Sequence, residues 1–140
     1  MDVDKVLQCL NKALALQRRS VLELTTASGS MFGLEVQGVS EQLWGFAREE
    51  LDDLRRLIEK ISALGGDPGT DVTATEWTSD PNDTVKALIE HETETLEALH
   101  AVIPHSGQEA RSEALEHLME HIIMRKQNQV DWMERAIRQP

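Results

Sequence analysis

The chain has 140 residues, of which 40% are hydrophobic and 28% are charged, so it can bury one ordinary core and we expect a single domain over residues 1–140. Its formal charge of −11 opposes close approach to a polyphosphate, so nucleic acid is not an expected partner. With one cysteine, an acidic start that does not resemble a secretion signal and no apolar run of membrane-spanning length, the sequence predicts a cytoplasmic protein with no membrane partner.

The first half of the chain carries two amphipathic stretches with apolar residues at helical spacing. The first begins near Asp2 or Asp4, either of which can cap a first turn, and runs toward Ser28. Its inward stripe is Val6, Leu10, Leu14, Gln17, Val21 and Leu24. After a break over residues 28–33, the second inward stripe is Val39, Leu43, Ala47, Glu50, Asp53, Leu54, Leu57, Ile61 and Leu64.

A long irregular connection follows the second helix. From Gly65 to Asp80 the chain has no sustained period and is rich in Gly, Thr, Asp and Pro. Adjacent antiparallel helices need only a few connecting residues. A connection of this length therefore predicts a crossover that runs along the outside of a helical bundle.

Two more helices are predicted in the second half of the chain. Asp80 and Pro81 start the third helix, whose stripe is Val85, Ile89, Glu92, Leu96, Leu99 and Ile103. A turn over residues 104–107 precedes the fourth helix, for which Ser106 and Glu109 fit a capping box. The fourth stripe is Leu115, Met119, Ile122, Lys126, Gln129, Met133 and Ile137. The fold class is an all-α antiparallel four-helix bundle with a long crossover between helices 2 and 3.

Each apolar stripe is interrupted near its middle by polar residues, which the bundle should bring together in one core layer. They are Gln17, Glu50, Asp53, Glu92, Lys126 and Gln129. A buried ammonium needs anionic acceptors, so we expect Lys126 to pair with Glu50 and Glu92.

Asp53 is then the carboxylate expected to be in excess. Arg18 and Arg125 flank the inward stripes and are candidates to neutralise it, as is a proton.

Three segments resemble the ferritin-like superfamily. Residues 10–17 are similar to the first helix of bacterioferritin, in which the last position is a metal-ligand Glu. Residues 56–61 with the turn over 64–68 are similar to the end of the second helix in bacterioferritins and the small DNA-protecting ferritins. Residues 131–134 are similar to the segment after the last iron ligand. The resemblance covers essentially the whole chain and implies a ferritin-like bundle.

The resemblance also implies a di-iron site built from a Glu, a Glu-x-x-His, a second Glu and a second Glu-x-x-His. The matching positions here are Gln17, Glu50 and Asp53, Glu92, and Lys126 and Gln129. Glu50 and Glu92 keep the family's residue, whereas Lys126 puts a positive charge where a cation should bind. We therefore expect no metal, no cofactor and no ferroxidase activity.

Two functions remain open at this point. The first is a non-catalytic binding or structural protein, forming a homodimer or larger homo-oligomer, in which a Lys/Glu/Gln network replaces the di-iron site. The alternative is an iron-binding or iron-storage protein of the bacterioferritin type with an altered ligand set. In the alternative Lys126 reaches solvent, and Glu50, Asp53 and Glu92 are free to bind iron.

Four histidines lie off the inward stripes. His117 and His121 have the spacing that lets two imidazoles chelate a metal on one helix face, but three neighbouring glutamates indicate a solvated surface. His91 and His100 lie beside the buried stripe.

The remaining candidates are apolar or weakly polar. Cys9 has no obvious base or resolving partner and is expected to pack as a small side chain. Met31 lies nearest the family's haem-ligand region, but its Gly/Ser surroundings do not match, so haem is not predicted. Phe32, Trp44 and Trp132 lie off the inward stripes and are expected to mark a contact between subunits.

Overall fold

The computed structural model describes residues 1–138, and four long helices make up most of that range. They are α1 (Val3–Ser30), α2 (Gln37–Ala63), α3 (Pro81–His100) and α4 (Ala110–Ile137). Short 3-10 turns at Leu34–Val36 and Ile103–His105 belong to the two tight connections. Residues 1–138 contain no strand, so the predicted all-α bundle is confirmed. No helix within this range is long and apolar enough to cross a membrane.

The helix boundaries largely follow the predicted capping residues. Asp2 accepts a hydrogen bond from the Lys5 amide (3.2 Å), and Asp80 accepts one from the Asp83 amide (2.9 Å). Helix α2 ends where Gly65 adopts a positive φ of 83°, which glycine tolerates without steric cost. Two ends differ: α1 continues beyond the expected Ser28, and α3 ends before Ile103, which lies in a 3-10 turn.

The predicted capping box of α4 is wrong. Ser106 lies inside the preceding turn, where its hydroxyl donates to the Ile103 carbonyl (2.8 Å). The helix begins at Ala110, so Glu109 is itself the N-cap residue, and its side chain makes no capping hydrogen bond. Its carboxylate instead accepts from Arg111 Nε (3.0 Å). The box fails because the helix starts later than the Ser-x-x-Glu pattern requires.

The connection between α2 and α3 runs alongside α1, as predicted for a crossover. Near its start, the Gly69 amide donates to Asn11 Oδ1 (2.7 Å). Further on, the Thr73 amide donates to the Ala15 carbonyl (3.3 Å). Because the partners on α1 advance with the crossover, the chain returns along the bundle, and α2 and α3 are parallel.

The core has two apolar clusters, one toward each end of the bundle. On α1, the first cluster uses positions between Val6 and Leu16, and the second uses Leu24 and Ala27 together with Met31, which follows the helix. On α4, the clusters similarly lie on either side of Lys126. A polar layer therefore separates the two halves of the core.

Candidate functional site

The six polar side chains predicted to face inward lie in the layer between the two apolar clusters. They are Gln17, Glu50, Asp53, Glu92, Lys126 and Gln129, none of them more than 1% exposed. Each occupies an inward position of an otherwise apolar helical stripe, which explains why the helices carry it into the core. Charged side chains are almost never buried without partners, so the contacts of each one decide what the layer can do.

The Lys126 ammonium lies between two carboxylates from neighbouring helices. Its Nζ is 2.7 Å from Glu50 Oε2 and 2.5 Å from Glu92 Oε2. All three side chains are fully buried. The structure therefore contains the pairing of Lys126 with Glu50 and Glu92 that the sequence predicts.

Helix α1 completes this cluster with two neutral groups. Gln17 Nε2 donates to Glu50 Oε2 and to the Glu50 carbonyl (3.0 Å). Ser20 Oγ accepts from Lys126 Nζ at 3.4 Å. The sequence reasoning missed Ser20 because it continued the stripe from Gln17 by four residues to Val21. A three-residue step is equally helical, and it is Ser20 that is buried while Val21 is half-buried.

Asp53 is neutralised by arginines that reach in from the surface. Arg125 donates to both of its carboxylate oxygens, at 2.6 Å and 3.1 Å, and Arg56 donates to one of them at 2.8 Å. The hydrogen bonds to Asp53 raise the pKa of Arg125 above its usual value. Arg18, the other arginine candidate, instead donates to the crossover carbonyls of Gly69 (2.5 Å) and Asp71 (3.1 Å), so Arg125 is the one of the two that pairs with Asp53.

Gln129 belongs to the layer but not to the Lys126 network. Its Nε2 donates to Glu49 Oε2 at 2.9 Å, toward the surface between α2 and α4. The two glutamines expected to complete the polar network therefore act differently, and Gln17 is the one that contacts Glu50.

The excess carboxylate is in the Lys126 cluster and not at Asp53. One ammonium faces the two carboxylates of Glu50 and Glu92. Burial raises the pKa of Glu50 to about 7, although Lys126 lowers it in opposition. Burial also lowers the pKa of Lys126, but the two carboxylates outweigh this and the net pKa is raised. The raised pKa of Lys126 favours its charged form, and a pKa of about 7 means that Glu50 is about half protonated at pH 7, which offsets part of the remaining negative charge.

The donor set does not fit the di-metal centre that the resemblance implies. One oxygen of Glu50 and one of Glu92 are held by an ammonium, and both oxygens of Asp53 are held by guanidinium groups. A further unit charge about 4 Å from the ammonium costs roughly 4 kcal/mol at an intermediate dielectric, and a divalent ion costs more. Within residues 1–138, no group of three or more His, Cys, Asp or Glu side chains is arranged to hold a metal ion.

A second buried ion cluster was missed by the sequence reasoning. Glu23 on α1 accepts from His91 Nδ1 on α3 (2.8 Å) and pairs with Arg19 Nε (3.3 Å). Burial raises the pKa of Glu23, with His91 and Arg19 lowering it in opposition. The position of His91 beside the buried stripe was the available signal, but the sequence does not give the register between α1 and α3.

The other candidates lie away from the layer. His117 and His121 are exposed on α4, as expected. Cys9 is half-buried and packs against the first apolar cluster. Met31 is buried in the second cluster.

The three off-stripe aromatic residues have different surroundings. Phe32 and Trp44 are 87% and 47% exposed. Trp132 is half-buried and packs edge-to-face on Phe46, with 5.6 Å between ring centroids. Packing inside its own chain accounts for Trp132, whereas Phe32 and Trp44 remain candidates for a contact between subunits.

Comparison with known proteins agrees with this architecture. A search of the curated proteins finds no match to this sequence. A solved structure described as ferritin like, diiron-carboxylate proteins from Bacillus anthracis str. Ames superposes with a TM-score of 0.86, covering 99% of each chain at 20% identity. At that identity the likeness shows a common fold. The family model for the ferritin-like domain matches residues 7–139. The chain therefore belongs to the ferritin-like family.

Proposed function

We propose that this chain is a non-catalytic ferritin-like bundle in which an internal ion network takes the position of a di-iron centre. The observation that carries the proposal is the Lys126 ammonium, which lies within hydrogen-bond distance of both Glu50 and Glu92. These are the two positions that keep the family's glutamates. A cation supplied by the chain itself pairs with one oxygen of each carboxylate that would otherwise bind metal.

The alternative, iron binding through an altered ligand set, requires free carboxylates. It would need Lys126 to reach solvent, but this side chain is fully buried. It would also need Asp53, which is held by Arg125 and Arg56. The contacts therefore favour the network over the altered iron site.

An iron titration tests this proposal. Purified protein is mixed with Fe²⁺ without oxygen, bound iron is counted by elemental analysis, and oxidation is followed by absorbance after air is admitted. We expect no stoichiometric iron and no catalysed oxidation. Two irons per chain with rapid oxidation would overturn the proposal. As a positive control, Q17E, D53H, K126E and Q129H together restore the donor types of the family's site. If that variant does not fold, iron uptake and oxidation by the parent chain still decide whether the proposal holds.

We further propose that the chain assembles with a second copy of itself through the outer face of α1 and α2. Large apolar side chains are exposed on these helices and the segment that joins them. They are Leu22, Phe32, Leu34, Trp44 and Leu51. Exposed apolar side chains grouped on one face are typical of a subunit contact.

Sedimentation of micromolar protein should give at least a dimer, and Leu51→Glu should shift it toward monomer. Met124→Glu is the matched control, because Met124 is similarly exposed (53%) but lies on α4. A parent chain that stays monomeric, or equal dissociation by both variants, would contradict this assignment.

A further inference from the structure

The exposed face of α4 carries a pair of imidazoles whose nitrogens converge. His117 and His121 are one helical turn apart, and their Nε2 atoms are 3.0 Å from each other. The rings lie edge-to-face with 4.5 Å between centroids. One ring therefore donates to the other through the same nitrogen that each would offer to a metal ion.

The spacing of these nitrogens matches that of two ligands on one cation. Imidazole nitrogens bind first-row divalent ions at about 2.0–2.1 Å. Two such bonds at a right angle separate the nitrogens by about 3.0 Å. The helix thus holds both nitrogens at a chelating distance, and the ring that donates in the free protein needs only to move its proton to Nδ1 before it binds a metal ion.

Glu120 lies close to the same pair of imidazoles. Its Oε2 is 3.8 Å from His117 Nδ1, which is an ion-pair distance and is too long for a hydrogen bond. A carboxylate at this distance adds negative charge beside the pair, which favours a bound cation. The side chain of His117 is 72% exposed, which leaves space for water to complete the coordination.

We propose that His117 and His121 form a surface site for one divalent transition-metal ion of the Cu²⁺, Ni²⁺ or Zn²⁺ class. Imidazole pairs prefer these ions to Mg²⁺ and Ca²⁺, which require oxygen ligands. The formal charge of −11 further favours a cation at the surface. The site shares no residue with the Lys126 network, so the two proposals stand or fall separately.

Calorimetric titration with Ni²⁺ and Cu²⁺ tests the site in the parent chain and in His117→Ala and His121→Ala. We expect one ion per chain, Cu²⁺ binding tighter than Ni²⁺, and at least a tenfold loss of affinity in either variant because the chelate is lost. Glu120→Gln should weaken binding less, because it removes only a nearby negative charge. His100→Ala is the matched control, since His100 is also exposed on a helix.

Electron paramagnetic resonance of the Cu²⁺ complex provides a readout that does not depend on affinity. The spectrum should show two coupled nitrogens in the parent chain and fewer in either single variant. Unchanged binding after His117→Ala and His121→Ala, equal loss after His100→Ala, or the absence of coupled nitrogens would each overturn the proposal.

Discussion

Glu50 and Asp53 lie one turn apart on α2, and both side chains are fully buried, yet they are neutralised in opposite ways. Glu50 is paired from within the core by Lys126, which is itself fully buried. Asp53 is paired from outside by Arg125 and Arg56, whose side chains are 30% and 46% exposed. The two carboxylates therefore differ in the solvation of their partners.

This difference determines how much each buried charge affects the free energy of unfolding and how strongly that effect depends on pH and salt. A fully buried ion cluster is desolvated on every side, so the removal of one partner leaves an unpaired charge in a low dielectric. An arginine at the surface keeps part of its hydration, and its pair is screened by salt. We therefore expect the Lys126 cluster to respond strongly to mutation and pH, and the Asp53 cluster to respond more weakly and to depend on salt.

The largest effect should come from Lys126→Met, which removes the charge and keeps most of the side-chain volume. Glu50 and Glu92 would then face each other without a cation, and breaking a buried pair costs about 3–5 kcal/mol of the free energy of unfolding at neutral pH. The repulsion raises the carboxylate pKa values, so the folded variant binds protons more tightly than the unfolded chain and recovers stability in mild acid. Urea denaturation at pH 5 and pH 7.5 measures both effects.

A triple variant separates charge imbalance from loss of packing. Lys126→Met with Glu50→Leu and Glu92→Leu removes all three charges and should be neutral or more stable than the parent chain. If the triple variant is as unstable as Lys126→Met alone, packing and not unpaired charge accounts for the loss.

The second effect concerns the pH dependence of the parent chain. Burial raises the pKa of Glu50 from 4.5 to about 7. Its contribution to the free energy of unfolding is therefore fully present below pH 4.5 and is lost as the pH rises toward 7. Glu50→Gln should abolish this dependence and stabilise the protein relative to the parent chain at pH 8. Thermal unfolding between pH 5 and 8 measures both the pH dependence and the stabilisation. Asp52→Asn is the control, because Asp52 is an exposed neighbour of Asp53 on the same helix. A parent-like pH profile in Glu50→Gln would mean that a group other than Glu50 takes up the proton.

The fold could be predicted because each of its determinants is local or periodic in sequence. The four stripes, the capping residues Asp2 and Asp80 and the irregular segment from Gly65 onward are each visible without knowledge of contacts. The capping box at Ser106 failed because a boundary pattern can match a few residues away from the real helix start.

The layer was predicted for the same reason, but the partners within it were only partly predicted. Helical period fixes which residues point inward, and a buried lysine with two carboxylates leaves few ways to pair. Arg18 and Arg125 both flank inward stripes, and nothing in the sequence tells which of them reaches Asp53. That choice depends on the register between helices and on the crossover carbonyls, which bind Arg18 instead.

The third effect should come from Arg125→Ala. Arg125 makes two hydrogen bonds to Asp53, and hydrogen bonds to charged groups contribute about 1.5–3 kcal/mol. The loss should lie in this range and not above it, because Arg56 still holds one oxygen of Asp53. Asp53→Asn combined with Arg125→Ala should lose less than the two single variants added together, since they remove the same interaction. Additive losses would mean that the two residues are not coupled.

The smallest effect should come from Arg56→Ala, and it distinguishes the two kinds of neutralisation most directly. Arg56 is 46% exposed, so its pair with Asp53 is screened by water and should contribute no more than about 1 kcal/mol.

Arg55→Ala is the matched control, because Arg55 pairs with Glu59 where both side chains are exposed. In low salt, Arg56→Ala should cost more than Arg55→Ala, since Asp53 is buried and Glu59 is not. In 1 M NaCl the two losses should converge, because the Debye length falls to about 3 Å and the exposed guanidinium is screened. Urea denaturation in both salts measures this. If the cost of Arg56→Ala matches that of Arg125→Ala and does not change with salt, Asp53 is neutralised by a desolvated pair in the same way as Glu50.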